Sequence, residues 1–354
     1  MTRRFRTILS TSALICSTTS AMADMSGACQ GLLAGERLTI AVPNSAGGGY
    51  DTYARALAPV LEKHGNLTAR VTNMPSGGGL AARSFVMNAD AETLSILIEN
   101  TADMVSAPMG TVGRGDQANK TFMIEGYDIV GIVHSEPSTW IGRAGLDLLD
   151  PDLQGLVASE GALDEALLPF FVVGRALGID IEAVTGYEGT SEMTAAILRG
   201  EADISGMSLT TSKRRAQDEG IEIMMVLSEG PYPEEPDLPY LAGEGSIAWA
   251  LTEDLPEEDR VFQRGLAESV ARLRGSARGM FVSTNMSDVR QACVAELMDA
   301  AISDPEFVAS AEAQGRPVAS MNAEEAAAFT ADLISAYANV SPTLEAIAAE
   351  VMNN

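Results

Sequence analysis

The sequence predicts an α/β fold: mostly parallel sheets flanked by helices, organised as two units. Three observations carry this. Short apolar runs alternate with stretches of helical periodicity. The first two runs each end in a glycine-rich turn, "NSAGGGYD" and "PSGGG". After residue 150 the alternation begins again.

The first 23 residues stand outside this pattern. "MTRRFR" supplies a positive leader with Arg3, Arg4 and Arg6, "TILSTSALICSTTS" a short apolar and small-residue run, and Ala21, Met22 and Ala23 a small-residue cleavage site. The run is shorter than the ~20 residues of a membrane span. Cys16 lies inside the leader without a lipobox before a mature start. Residues 1–23 are therefore expected to be a signal peptide, placing the mature protein in the periplasm. What remains is roughly 330 residues, enough for two domains. The formal charge of the whole chain is −26. Such a polyanion repels nucleic acid and anionic lipid, so neither is expected as a partner.

The elements follow in order. "RLTIAVP" (37–43) reads as a strand and "DTYARALAPVLEKHG" as a helix capped by Gly65. "TARVTNM" (68–74) is a second strand, "LAARSFVMNA" a helix, and "TLSILIEN" (93–100) a third strand. "YDIVGIVHS" (127–135) and "STWIGRA" (138–144) read as two further strands. The second unit has strands at "LQGLVASEG", "EAVTGYEG", "ADISGMS" and "IEIMMVLS" and helices at "DEALLPFFVVGRALG" and "SEMTAAILRG". "PYPEEPDLPYLAG" is a proline-rich loop, and 250–275 holds an additional helix. Helices from Ser287 to Ile302, Asn322 to Tyr337 and Pro342 to Met352 close the chain. Cys29 and Cys293 survive cleavage, and an oxidising compartment permits a disulfide between them. The other reading makes Cys293 a small core residue on the stripe Val289, Cys293, Leu297, Ala300.

Glycine turns after parallel strands place bare N–H groups at the start of the next helix, where the helix dipole also favours an anion. Two such turns in equivalent positions point to a ligand at the carboxyl ends of the strands. The first turn lacks the Lys of a mononucleotide loop and the spacing of a dinucleotide fingerprint, which leaves a small carboxylate. Catalytic groups are scarce. His64 and His134 are the only histidines, no metal spacing or nucleophile elbow occurs, and Asp51 reads as a helix-start residue that binds free N–H groups. No enzymatic activity, cofactor or metal is expected.

"VPNSAGGGYDTYARALAPVLEK", "NMPSGGG", "YEGTSEMTAAILRGEADI", "PDLPYLAGEG" and "DPEFVASAEAQGRPVASMNAEEAAAF" together resemble the solute-binding receptors of tripartite tricarboxylate transporters, the periplasmic Bug-type proteins. The resemblance spans nearly the whole mature chain. It implies a two-lobe periplasmic binding protein of the Venus-flytrap kind. Each lobe would be a mostly parallel sheet flanked by helices, with a ligand cleft between lobes. Lobe 1 would take residues 24–137 and be completed by about 279–354, with lobe 2 at 138–278. The implied function is capture of a small organic carboxylate and its delivery to the transporter's membrane subunits by a monomeric receptor. Presentation of the ligand to a sensor kinase is the alternative, and an exported enzyme a more distant one.

Carried over, one carboxylate is implied to sit among Asn44, Ser45, Ala46, Gly47, Gly48, Gly49, Tyr50, Asp51, Thr52, Ser76, Gly77, Gly78 and Gly79, with Asn100 and Thr101 nearby. The far end of the ligand would meet Ser159, Thr190, Ser191 and Ser208. The family usually has an aromatic residue where Asn44 stands and a small hydroxyl residue where Tyr50 stands. Its second-lobe histidine is missing from "SEGALDEALL", which carries Glu160, Asp164 and Glu165 instead. These acids lead to the expectation that the ligand's far end is neutral or cationic. Exported protein should have the mass of a chain beginning at Asp24. Intact-mass analysis checks this, and retention of residues 1–23 would contradict it.

Overall fold

The computed structural model of the protein describes residues 25–106, 124–150, 153–160, 174 and 178–352. The leader and most of "DEALLPFFVVGRALG", with Asp164 and Glu165, lie outside the described residues.

In chain order the helices are α1 Gly27–Leu33, α2 Gly49–Gly65, α3 Leu80–Met87, α4 Thr101–Ser106, α5 Thr190–Arg199, α6 Leu209–Arg215, α7 Ile247–Leu251, α8 Glu257–Leu273, α9 Asp288–Ile302, α10 Pro305–Glu312 and α11 Ala323–Met352. The strands are β1 Arg37–Val42, β2 Thr68–Asn73, β3 Leu94–Asn100, β4 Tyr127–Arg143, β5 Gln154–Ser159, β6 Asp180–Thr185, β7 Ile204–Ser208, β8 Ile221–Glu229, β9 Tyr240–Ala242 and β10 Gly275–Ser283. Among the described residues no helix is long and apolar enough to cross a membrane.

The ladder runs β2-β1-β3-β10-β4-β7-β5-β6, with β8 on β4 and β9 on β8. In the first lobe β2, β1 and β3 are parallel, and β10 lies antiparallel between β3 and β4. In the second, β6, β5 and β7 are parallel and β4 is antiparallel to β7 and β8. The expectation of two strands at 127–135 and 138–144 is corrected here. β4 is one strand that pairs with β10 up to Pro137 and with β7 and β8 from Ser138 onward. Pro137 reads as punctuation in sequence, yet it sits between two ladders, where its missing N–H costs no bond.

Each lobe has its own apolar core. In the first, Leu57, Val60 and Leu61 of α2 pack on Ile40 of β1, Ile96 of β3 and Leu297 of α9. In the second, Trp140 of β4 packs with Val157, Met225 and the α8 residues Leu266 and Val270. α11 bridges the two: Ala326 packs with Ile132 in the first lobe, and Tyr337 rests against the second core. The two closing helices expected at 322–337 and 342–352 form this single helix, with Pro342 inside it. The proline-rich segment contains β9.

Two local readings change as well. Asn66, not Gly65, takes the left-handed cap of α2, at φ 47°. At Gly65 a Cβ would lie 2.8 Å from the Leu67 Cδ2 methyl, so the Leu67 side chain would have to shift to admit one. Val289 is 67% exposed and leaves the α9 stripe, whereas Cys293, Leu297 and Ala300 are buried. The structure bonds Cys293 to Cys29, so α1 is tied to α9.

The floor of the first lobe is pinned by Asp304, the N-cap of α10. Its carboxylate accepts from Glu306 N, from Lys63 Nζ at 2.9 Å and pairs with His64 Nε2 at 2.8 Å. Burial pushes this carboxyl up, but the Lys63, Glu306 and His64 contacts outweigh it and hold the pKa at about 2. The folded value lies below the unfolded one of about 3.9. Its stabilisation is therefore complete above that value and lost as pH falls through about 4 toward 2. Asp304→Asn should lower the thermal midpoint near neutrality and flatten its acid dependence over that window, as followed by circular dichroism across a pH series.

Candidate functional site

A cavity opens at the carboxyl ends of β1, β3, β5 and β7, the position where ligands meet open α/β sheets. First-lobe residues on its wall include Asn44, Ser45, Gly48, Gly49, Tyr50, Gly78, Arg83, Glu99, Asp103 and Arg278. The second lobe contributes Glu160, Gly189, Thr190, Ser191, Met207, Ser208 and Thr211.

The first glycine turn is held from below. Asp51 is buried, and its Oδ2 accepts from Gly47 N at 2.8 Å and from Arg55 Nε at 2.9 Å. Burial pushes the Asp51 carboxyl up, but these bonds win and its pKa lies below the usual range. Gly47 needs its glycine because its φ is 87°. Gly48 does not: φ is −73°, and an added Cβ would meet only Ser45 O at 3.6 Å. It is the N-cap of α2 and has no side chain to satisfy the helix's first N–H groups. A bare backbone here puts no cap side chain between the start of the helix and the cavity. In the second turn Gly79 has φ 82°, and a Cβ there would lie 2.7 Å from Pro43 Cβ.

Of the residues singled out in sequence, the structure brings Asn44, Ser45, Gly48, Gly49, Tyr50, Gly78, Thr190, Ser191 and Ser208 to the wall. Ala46, Gly47, Asp51 and Thr52 shape the first turn and lie off the wall, as do Ser76, Gly77 and Gly79 of the second. Asn100 and Thr101 are buried beneath it, with Asn100 Oδ1 accepting from Ala102 N and Thr101 Oγ1 donating to Ala277 O. Ser159 is buried at the end of β5, where its carbonyl accepts from Gly186 N.

Sequence reasoning missed the charged groups. Arg83 Nε donates to Glu99 Oε2 at 3.0 Å, and both are buried in the wall. Arg274 Nη1 pairs with Asp103 Oδ1 at 2.7 Å. Arg278 Nη2 lies 2.9 Å from Glu136 Oε1 and donates to Ser208 Oγ at 2.5 Å. Glu136 Oε2 also accepts from Thr210 N and Thr210 Oγ1, so it caps the N-terminal turn of α6 in the other lobe. Burial pushes the Glu136 carboxyl up, yet the Arg278 charge, His134 and Thr210 hold it well below the carboxylate range. Arg316 Nη1 donates to Thr211 Oγ1 at 2.9 Å. Each of these residues is ordinary in its own stretch of sequence. Only the fold joins positions 70 to 171 residues apart.

The lobes touch across the cavity. Ser45 N donates to Glu188 O at 2.9 Å, and Asn44 Nδ2 to Glu160 Oε2 at 2.5 Å. The arrangement is a closed cleft whose donors are backbone N–H groups, hydroxyls and guanidiniums, suited to holding an anion and fitted with no nucleophile–base pair among the described residues.

No family model matches the chain, and no curated protein matches it. Solved structures do. The periplasmic binding protein BugD is similar over 87% of this chain and 97% of its own, with a TM-score of 0.65 and 21% identity. A protein of Rhodopseudomonas palustris with adipate gives a TM-score of 0.63 at 16% identity, covering 87% of this chain and 97% of that one. MatC from the same organism, with bound malate, gives 0.61 at 16% identity over 88% and 99%. The two-lobe α/β fold is thus that of periplasmic binding proteins.

The two glycine positions separate shape from approach. Gly79→Ala should destabilise by about 1–3 kcal/mol, since it forces both a clash and a positive φ. Gly48→Ala should stay within about 0.5 kcal/mol of the parent. Urea unfolding of the two variants checks this.

Proposed function

We propose that this protein is an extracytoplasmic solute-binding receptor of the tripartite tricarboxylate transporter type, which captures a small organic carboxylate and hands it to membrane subunits. The observation that carries the reading is the uncapped N-terminus of α2 at Gly48 and Gly49, facing Ser208 and Thr211 across a cleft between lobes. A carboxylate held by main-chain N–H groups in one lobe and hydroxyls of the other would join the two and favour closure. The similar structures, one with bound malate and one with adipate, support the ligand class, and BugD, described as a periplasmic binding protein, supports the receptor role. The earlier resemblance of the glycine turns and later segments agrees in type.

In this reading the signal peptide 1–23 directs the chain to the periplasm. Lobe 1 takes residues 24–137 and about 279–354, and lobe 2 takes 138–278. Asn44 to Tyr50 and Gly78 hold the carboxylate, with Asp51 fixing the first turn. Thr190, Ser191 and Ser208 meet the rest of the ligand. Glu160 on the wall favours a neutral or donating group beside it.

A thermal-shift screen of malate, adipate and other organic acids tests the proposal. At about a hundredfold excess over Kd a true ligand adds about 2.7 kcal/mol. Gly48→Val should fold as the parent does and bind that ligand about tenfold or more weakly, because its side chain blocks approach to the α2 N–H groups. Absence of stabilisation by any organic acid would remove the carboxylate reading.

A further inference from the structure

Behind the first glycine turn the protein buries more positive charge than its carboxylates answer. Arg278 is matched by Glu136. Arg316 is not: it is 2% exposed, its Nη1 donates to Thr211 Oγ1, and its Nε has no hydrogen-bond partner. Among the described residues no carboxylate forms an ion pair with it. Glu136, whose charge acts on Arg316, is committed to Arg278 and to Thr210. A buried guanidinium without a counter-ion is costly to the state that buries it. Burial and the neighbouring charges of Arg278 and Arg214 push the Arg316 pKa down to about 10.

The place of this charge matters. A Cβ built on Gly49 would lie 3.5 Å from Arg316 Nη1 and 3.6 Å from Arg278 Nη2. Gly49 is the first residue of α2 and is on the cavity wall. The start of α2 and both guanidiniums therefore lie close together, Arg278 on the cleft wall and Arg316 off it, lining a second cavity with Glu136 and Thr210. Arg316 stands on the segment after α10 in the first lobe, and its partner Thr211 is on α6 in the second. Contact between the lobes helps to bury it, so the cost falls on the closed form.

We propose that Arg316 is a specificity-determining residue that makes closure of the cleft depend on the ligand's negative charge. An anion seated at Gly48 and Gly49 supplies the counter-charge that the closed protein lacks. An uncharged analogue of the same shape can accept from the α2 N–H groups but leaves Arg316 unanswered. This rests on the carboxylate reading above, and it adds a residue whose role is discrimination rather than contact alone.

The test compares the parent with Arg316→Met, which keeps bulk and removes charge, and Arg316→Lys, which keeps charge. Calorimetry with malate and adipate and with their diamides gives the carboxylate-to-amide affinity ratio. Small-angle scattering gives the ligand-free dimensions. In the parent we expect an open ligand-free form and a ratio of about a hundredfold or more, falling by about tenfold or more in Arg316→Met. That variant should also be more compact without ligand, and Arg316→Lys should keep the parental ratio. If Arg316→Met does not fold, Arg316→Gln, which retains a donor for Thr211, carries the same comparison. Binding of carboxylates by the parent with the same ratio and dimensions in the neutral variant overturns this inference and leaves the receptor reading standing. Failure of the parent to bind any of them overturns both.

Discussion

The arrangement depends on one buried ion pair, Glu136 with Arg278. It lies where β4, the strand that pairs in both sheets, runs beside β10. Glu136 joins the first lobe's strand to the start of α6 in the second, and Arg278 reaches from β10 to Ser208. Both partners are almost wholly buried, so removing either would strand a charge in a low-dielectric wall. An apolar pair of equal volume could hold the strands together as well. It could not cap a helix of one lobe while presenting a guanidinium to the cavity of the other.

Much of the fold was legible in the sequence, because strand, glycine turn and helix follow one another in residues that are local to one another. β1, α2, β2, α3 and β3 each carry their own periodicity and punctuation. β4 was not legible as one strand, since Pro137 breaks the local pattern at a position where the ladder changes partner and no donor is missed. α11 was split for a similar reason at Pro342. The glycine turns announced the backbone side of the cavity, while the difference between a glycine set by its φ, Gly47, and one set by approach, Gly48, emerged only in the fold. Arg83, Arg278 and Arg316 gave no such sign. A buried arginine is recognisable only by the partner that permits its burial, and Glu99, Ser208 and Thr211 lie 16, 70 and 105 residues away.

The local and global electrostatics run in opposite directions. The chain is strongly acidic, with a formal charge of −26, yet four arginines sit in or directly behind the cleft wall. An acidic exterior lowers the local concentration of small anions. The interior guanidiniums act at short range in a poorly screened environment, where a single charge counts for much more than it does at the surface.

Pro137 has a mechanical side. A continuous strand shared by two bodies is a stiff beam, and its resistance to bending comes from the ladder bonds on either side. At Pro137 the backbone offers no N–H, β10 hands over to β7 and β8, and Ser138 N turns instead to Arg274 O at 2.9 Å. Rotation of one body against the other would twist the backbone at Pro137, together with the Arg274–Gly275 crossing and α11 that also join the lobes, while the hydrogen-bonded spans on both sides stay paired. A reporter fixed to each span would convert a sub-ångström event at the fulcrum into a displacement many times larger at the tips.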